Sequence, residues 1–207
     1  LLGGKGSNLC EMVRLGLPVP PGFVISTESC LDYFSLGHKL PDGLWESIQQ
    51  DIRHLEESMG RGFGSRERPL LVSVRSGAQV SMPGMMDTIL NLGINDEIVE
   101  GLAAMMGDPR PAYDAYRRFL QIYSDVVLEI PGETFEEILA SHKKKAGVEQ
   151  DFQLNPKQIG KVITDYKKAI RSASGEDIPA DPWRQLTLAI EAVFRSWNNA
   201  RAIFYRN

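Results

Sequence analysis

The sequence has little cysteine, no long apolar run and no excess of positive charge, and each of these absences narrows the possible functions. Two cysteines among 207 residues, Cys10 and Cys30, are too few for a disulfide framework or a cysteine-based metal site. No stretch approaches the roughly 20 apolar residues of a membrane-spanning helix. The formal net charge of -4 gives no global field that attracts nucleic acid or an anionic membrane. We therefore expect a protein of the reducing cytoplasm, without nucleic-acid or membrane partners.

Both ends of the sequence have the character of cuts in a longer polypeptide. Leu1 leads directly into a glycine-rich motif, without a leader. The last residues, 205–207, continue a helical pattern without a stop signal. We therefore expect the chain to be truncated at both ends.

The composition and the apolar periodicity predict a helix-rich α+β protein. Hydrophobic residues make up 43% and charged residues 24%, the balance of a soluble globular protein. Short apolar runs at 23–25, 70–74 and 89–91 are strand candidates. From about residue 96 the spacing is helical, as in the stripe formed by Ala112, Tyr116, Phe119, Leu120 and Tyr123.

These patterns predict three regions. Residues 1–95 form a first subdomain with a small sheet, and residues 96–180 form an all-helical subdomain. Residues 181–207 form a long helix that returns to the first subdomain. The predicted domain boundaries follow from the point at which strand-like runs give way to helical spacing.

The Gly3-Gly4-Lys5-Gly6 motif is the first candidate for anion binding. Three glycines let the backbone approach a phosphate closely, and a helix over 7–15, capped by Ser7, would add its positive end. Lys5 would supply a mobile point charge. The alternative is a flexible turn with a solvated lysine. The motif is not a P-loop, because Gly6 follows the lysine where that motif has serine or threonine.

Arg75 is the second candidate. It ends the predicted strand 70–74 and precedes a turn that contains Gly77, and strand ends followed by loops often carry ligand contacts in α/β proteins. A guanidinium held by a rigid strand suits a phosphate. The alternative is a salt bridge or a contact with a helix end on the far face of the sheet.

The loop over 79–88 is rich in methionine, which is unusual because loops are normally polar. It either covers a ligand or packs on the helical region. Asp87 could bind a metal, but one carboxylate is weak evidence for magnesium.

Arg118 lies on the tyrosine-striped helix and points away from the centre of the stripe. It is either a solvated charge or a contact to a neighbouring lobe. His38, His54 and His142 lie in polar surroundings, and we interpret all three as surface residues. We assign no catalytic residue and no metal ligand within the 207 residues.

Several segments together resemble the pyruvate, phosphate dikinase family, and the resemblance runs in order over nearly the whole chain. The similar segments are residues 3–9, 16–23, 73–78, 81–88, 91–93, 113–119 and 194–205. The stretch 81–88 distinguishes this family from the related phosphoenolpyruvate synthases. The resemblance implies the first lobe of an ATP-grasp fold.

The resemblance also implies a reaction and a site. The reaction converts ATP, phosphate and pyruvate into AMP, pyrophosphate and phosphoenolpyruvate, through a phosphohistidine on another domain of a homodimeric enzyme. Lys5, Arg75 and Arg118 match the family's ATP-phosphate contacts. The magnesium ligands, the carrier histidine and the pyruvate site are expected outside this chain, so we expect weak ATP binding and no turnover.

Two alternatives remain. The first is a phosphoenolpyruvate synthase or water dikinase of the same fold, which uses water in place of phosphate. The second is a non-catalytic helical interaction domain, in which Lys5 and Arg75 would lie far apart and face solvent.

Overall fold

The computed structural model describes residues 2–77, 87–199 and 202–204 of the chain. The helices in these ranges are α1 (Gly3–Arg14), α2 (Thr27–Ser35), α3 (Leu44–Met59), α4 (Ile98–Met106), α5 (Pro109–Val127), α6 (Gly132–Ala146), a short 3-10 helix (Asp151–Gln153), α7 (Pro156–Ser174) and α8 (Pro182–Ser196). The strands are β1 (Gly62–Phe63), β2 (Pro69–Leu70), β3 (Val72–Arg75) and β4 (Thr88–Leu92). The predicted helix-rich α+β character is confirmed.

The chain divides into two compact units. Unit 1 comprises residues 1–61, 75–87 and 190–207, and unit 2 comprises residues 62–74 and 88–189. The predicted boundaries near residues 95 and 180 remain a prediction.

Helix α1 of unit 1 begins earlier than predicted. The glycine motif is not a loop: Gly3 to Gly6 form the first helical turn, so Ser7 is not the N-cap. Gly6 is also buried, since a Cβ there would lie 3.0 Å from Val24 Cγ1. The predicted end is confirmed, with Gly16 in a left-handed conformation (φ +72°) after the helix.

Elsewhere in unit 1, a capping residue begins a helix, but the predicted strand does not form. The Ser26 side chain accepts a hydrogen bond from the Ser29 N–H at 3.2 Å and caps α2. Helix α3 ends before Gly60, which has a left-handed backbone conformation. The strand predicted at 23–25 is wrong: these residues are irregular and Val24 is exposed. An apolar run becomes a strand only where a neighbouring strand satisfies its backbone.

The long helix predicted over 181–207 is also wrong, because α8 ends at Ser196. The Asn199 side chain accepts a hydrogen bond from the Ala202 N–H at 2.7 Å. Asparagine side chains compete in this way with the continuing helical ladder. Residues 202–204 form a separate helical turn.

The strands form two small pairs. Strands β1 and β2 are parallel, with Gly62 opposite Pro69 and Phe63 opposite Leu70. Strand β3 pairs with β4. The single strand predicted over 70–74 is therefore interrupted at Leu71, while the predicted strand at 89–91 is confirmed within β4.

The helices of unit 2 pack around α5. Asp108 caps this helix through the Arg110 N–H at 2.9 Å, and Pro109 occupies its first turn. Its apolar stripe is buried as predicted, with Phe119 fully inside. On α7, Tyr166 packs edge-on against Phe135 with ring centres 4.9 Å apart.

Two features hold backbone segments of unit 2 close together: the absence of a side chain at Gly101, and the hydrogen bonds of the Gln185 amide. A Cβ on Gly101 of α4 would lie 1.5 Å from the Arg66 carbonyl oxygen, so only glycine fits there. The Gln185 side chain accepts from the Gly93 N–H at 3.0 Å and donates to the carbonyls of Ile94 and Pro179 at 3.1 and 2.8 Å. This buried amide ties two loops to α8.

The histidine prediction is correct for His38 and His54, which are exposed, and wrong for His142. The His142 ring is largely buried and its Nε2 lies 2.9 Å from a carboxylate oxygen of Asp165. A partner on α7, distant in sequence, supplies the polar contact that makes burial possible.

Candidate functional site

The first turn of α1 has no side-chain cap among the described residues. Leu2, at the N-cap position, makes no side-chain capping hydrogen bond, and no acidic residue lies in the first turn. The first N–H groups of a helix have no intrahelical acceptor and lie at the positive end of the helix dipole, which favours an anion there. Lys5 is exposed on the same turn.

Arg75 ends β3 and is exposed, while Val72 and Val74 on the alternate face are partly buried. The strand alternation thus turns the guanidinium toward solvent. Neither Arg75 nor Lys5 forms an ion pair within the described part of the chain. The salt-bridge alternative for Arg75 gains no support.

The chain after β3 lies against the first turn of α1. A Cβ on Gly77 would be 4.0 Å from Lys5 Cβ and 3.9 Å from the Leu2 carbonyl oxygen. These residues all belong to unit 1. The segment that follows Arg75 therefore contacts the helical turn that carries Lys5, and the contact is made at Gly77.

Arg118 lies in unit 2, on α5, and shares a carboxylate with its neighbour Arg117. Its Nε donates to Asp114 Oδ2 at 3.0 Å, while Nε and Nη2 of Arg117 lie 2.9 and 2.8 Å from Oδ1. The Arg117 side chain is 4% exposed and the Arg118 side chain 58%. Helical spacing of three and four residues brings the three charges together.

A second carboxylate supports the buried arginine. Asp151 Oδ2 lies 3.6 Å from Arg117 Nη2, and Lys143 Nζ lies 3.0 Å from Asp151 Oδ1. Burial works against the charge of Arg117, but the charge and hydrogen bonds of Asp114 outweigh it and raise the pKa of the guanidinium. Burial also opposes ionisation of Asp151, yet the Lys143 hydrogen bond and the Arg117 charge hold the pKa of that carboxyl below its usual value.

Neither the role of Asp114 nor the burial of Arg117 was predicted from the sequence. The signal was available, since an aspartate three and four residues before two arginines on a helix predicts ion pairs. The depth of burial was not available, because it depends on residues of α6 and α7 that pack beside α5.

The described residues contain no group of three or more histidine, cysteine, aspartate or glutamate side chains placed to hold a metal ion. The methionine-rich residues 78–86 lie outside the described residues. No helix in the described ranges is both long and apolar enough to cross a membrane.

Comparison with known proteins identifies similar sequences over the full chain. The family model "Pyruvate phosphate dikinase, AMP/ATP-binding domain" matches residues 1–40 and 36–207.

Three relatives illustrate the similarity. Pyruvate, phosphate dikinase 2 of Zea mays is 52% identical over 207 residues, all of this chain and 23% of the relative. The chloroplastic enzyme of Mesembryanthemum crystallinum is 53% identical over the whole chain and 22% of its own length. The enzyme of Clostridium symbiosum is 51% identical, with 24% of its length covered. The chain thus spans less than a quarter of these relatives.

Proposed function

We propose, on the premise that the chain belongs to the pyruvate, phosphate dikinase family, that it forms part of the ATP-phosphate site of such an enzyme. The complete enzyme would convert ATP, phosphate and pyruvate into AMP, pyrophosphate and phosphoenolpyruvate. The matched relatives bear the dikinase name, which favours this reaction over that of a water dikinase. A phosphate-dependence assay separates the two, because a water dikinase turns over without added phosphate.

The observation that carries the site assignment is the approach of the chain after β3 to the first turn of α1. Lys5 and Arg75 flank this approach and have no described ion partner. Their charges and the N-terminal amides of α1 can neutralise a polyphosphate jointly. The non-catalytic alternative predicts that Lys5 and Arg75 lie far apart and face solvent; both side chains are exposed, but the segments that carry them are in contact.

Arg118 is the third proposed phosphate contact. Its side chain is exposed and only its Nε is used by Asp114, so its terminal nitrogens remain donors for a phosphate. Phosphoryl transfer depends mainly on positioning and charge neutralisation. The Arg118 guanidinium would contribute to both at a phosphate group of the nucleotide.

The remaining parts of the mechanism are proposed to lie elsewhere in the complete enzyme. These are the second lobe of an ATP-grasp fold with the magnesium ligands, the swivelling domain with the carrier histidine, the pyruvate site and the contacts of a homodimer. Magnesium, when bound there, would neutralise phosphate charge. The compartment stays a prediction, since some plant relatives are named chloroplastic.

Substitution of Arg75 by alanine in the complete enzyme tests the site. We expect the ATP half-reaction to fall about a hundredfold, because one preformed donor to the developing charge is lost. The pyruvate half-reaction should be unchanged. Isotope exchange measures each half-reaction separately. Arg53→Ala, at an exposed arginine of α3, is the matched control. Equal loss in both half-reactions would contradict the assignment.

Calorimetric titration of the 207-residue chain with ATP and magnesium tests its incompleteness. We expect weak or no binding, because a polyphosphate held from one side remains solvated. Micromolar affinity for the chain alone would show that the missing lobe is not needed for binding.

A further inference from the structure

One carboxylate in unit 2 links a buried arginine to an exposed one. We propose that Asp114 is a positioning residue that orients the Arg118 guanidinium toward the phosphate groups of ATP. The inference rests on the proposed function of Arg118. It adds a residue that does not itself contact the nucleotide but decides where the contacting group points.

The geometry of Asp114 is fixed by Arg117. Both residues are buried, and two nitrogens of Arg117 converge on Oδ1 of the aspartate at 2.9 and 2.8 Å. A buried carboxylate with paired donors on one oxygen has little freedom to rotate. Its other oxygen, Oδ2, is therefore aimed at a defined point.

Arg118 contacts this oxygen through one nitrogen atom. Its Nε lies 3.0 Å from Oδ2 of Asp114. A planar guanidinium that is held at Nε keeps its forked edge, formed by Nη1 and Nη2, for a second acceptor. That edge suits two oxygens of a phosphate. The described residues place no second carboxylate on Arg118.

The charges of the cluster leave Arg118 attractive to an anion. Arg117, Arg118 and Lys143 contribute three positive charges against the two carboxylates of Asp114 and Asp151. The most exposed of the three cations is Arg118. Because Asp114 is shared with the buried Arg117, it restrains Arg118 without neutralising it fully.

A contact of this kind contributes little to stability. The Arg118 side chain is 58% exposed, so water screens its charge, and it loses freedom when it pairs with a residue four positions away on the helix. Orientation is therefore the property of Arg118 that Asp114 changes most. A free side chain would have to be ordered each time ATP binds.

The test is a double-mutant cycle in the complete enzyme with Asp114→Asn and Arg118→Ala. We expect Asp114→Asn to raise KM for ATP about tenfold, with the KM for pyruvate unchanged. In the Arg118→Ala background the same change should have no further effect on KM for ATP. A structural role would give the same loss in both backgrounds, and that result would overturn the proposal.

The control carboxylate is Asp165 of α7. It is also paired with two basic side chains, His142 and Lys168, and also lies in unit 2. Asp165→Asn should leave the KM for ATP unchanged. A rise equal to that of Asp114→Asn would show a general effect of lost ion pairs and would overturn the proposal.

Loss of folding is controlled by Asp114→Glu. This variant keeps the charge beside Arg117 but moves the second oxygen by one methylene, so Arg118 should be displaced. We expect thermal unfolding close to that of the unsubstituted enzyme and a raised KM for ATP. An unchanged KM would overturn the proposal even if Asp114→Asn does not fold.

The single variants separate this inference from the proposed function beneath it. If Arg118→Ala leaves the ATP half-reaction intact, the phosphate role of Arg118 is wrong and the inference fails with it. If Arg118→Ala weakens ATP binding while Asp114→Asn does not, only the positioning role is wrong.

Discussion

Unit 1 and unit 2 differ in how far they bury their large apolar side chains. Of the fifteen large apolar side chains that are exposed in the described ranges, twelve belong to unit 1, and α1 alone contributes Leu9, Met12 and Val13. Unit 2 encloses Phe119, Tyr123, Phe135 and Tyr166 completely.

Charged pairs show the same contrast. Nine of the eleven ion pairs among the described residues lie in unit 2. Unit 2 thus has its own core and its own polar framework, whereas the proposed ligand groups Lys5 and Arg75 lie in the less enclosed unit 1. The third proposed phosphate contact, Arg118, lies on the surface of the more enclosed unit 2. Four measurements test this contrast in burial between the two units.

The largest expected effect is that of Gly101→Ala in unit 2. The new methyl group would meet the Arg66 carbonyl oxygen at 1.5 Å, so α4 must move. We expect a loss of at least about 3 kcal/mol in the free energy of unfolding, although alanine gains about 1 kcal/mol in helix propensity. Urea unfolding followed by hydrogen exchange measures the loss within unit 2.

The control is Gly22→Ala in unit 1, where an added Cβ meets nothing within 4 Å. It should change the free energy of unfolding by less than about 0.5 kcal/mol. Similar losses for the two glycine variants would remove the contrast between the units.

The next largest loss of stability is expected for Gln185→Leu. The change leaves the Gly93 N–H and the carbonyls of Ile94 and Pro179 without their buried partner. We expect a loss of about 2 kcal/mol, since each unsatisfied buried group carries a desolvation cost. Thermal unfolding compared with Gln50→Leu, at an exposed position on α3, gives the difference. A neutral Gln185→Leu would mean that water replaces the amide.

Acid should weaken unit 2 selectively. Hydrogen bonds from His142 and Lys168 lower the pKa of Asp165, and Asp151 is also lowered. Carboxylates with depressed pKa values stabilise the fold above the unfolded value of about 3.9, and this contribution is lost as the pH falls through their folded values. The melting temperature should therefore drop below about pH 4.

The Asp151→Asn variant should show a shallower acid dependence than the unsubstituted chain, measured by thermal unfolding from neutral to acid pH. An unchanged slope would mean that Asp151 does not contribute to acid unfolding of unit 2.

The smallest expected effect is that of Val13→Gln on α1. The valine side chain is 60% exposed, so its replacement removes little buried area. We expect a change below about 0.5 kcal/mol, whereas Val162→Gln on α7, where the valine is fully buried, should cost several times more. Calorimetric unfolding of both variants completes the comparison, and a large loss from Val13→Gln would show that α1 is more enclosed than its exposure indicates.

Local signals predicted much of the secondary structure. The Asp108-Pro109 start of α5, the Asn155 cap of α7 and the bounds of α3 depend on neighbouring residues and were readable from the sequence. The helical first turn of α1 and the irregular run at 23–25 were not, because distant packing decided them.

The candidate site divides in the same way. Lys5, Arg75 and Arg118 were identified from motifs and a resemblance, and the exposure of Arg118 follows from its place on the helix. The link from Arg118 through Asp114 to a buried arginine depends on the surroundings of α5, which no local pattern encodes.

The contact between Gly6 and Val24 makes two distant positions interdependent. The methyl group of an alanine at position 6 would lie 3.0 Å from Cγ1 of Val24, which is a tight contact. Alanine is otherwise favoured over glycine in a helix. Shortening the partner to alanine at position 24 would open that space. A larger residue at position 6 therefore requires a shift of the valine side chain eighteen positions later, and the smaller side chain at position 24 would remove that requirement.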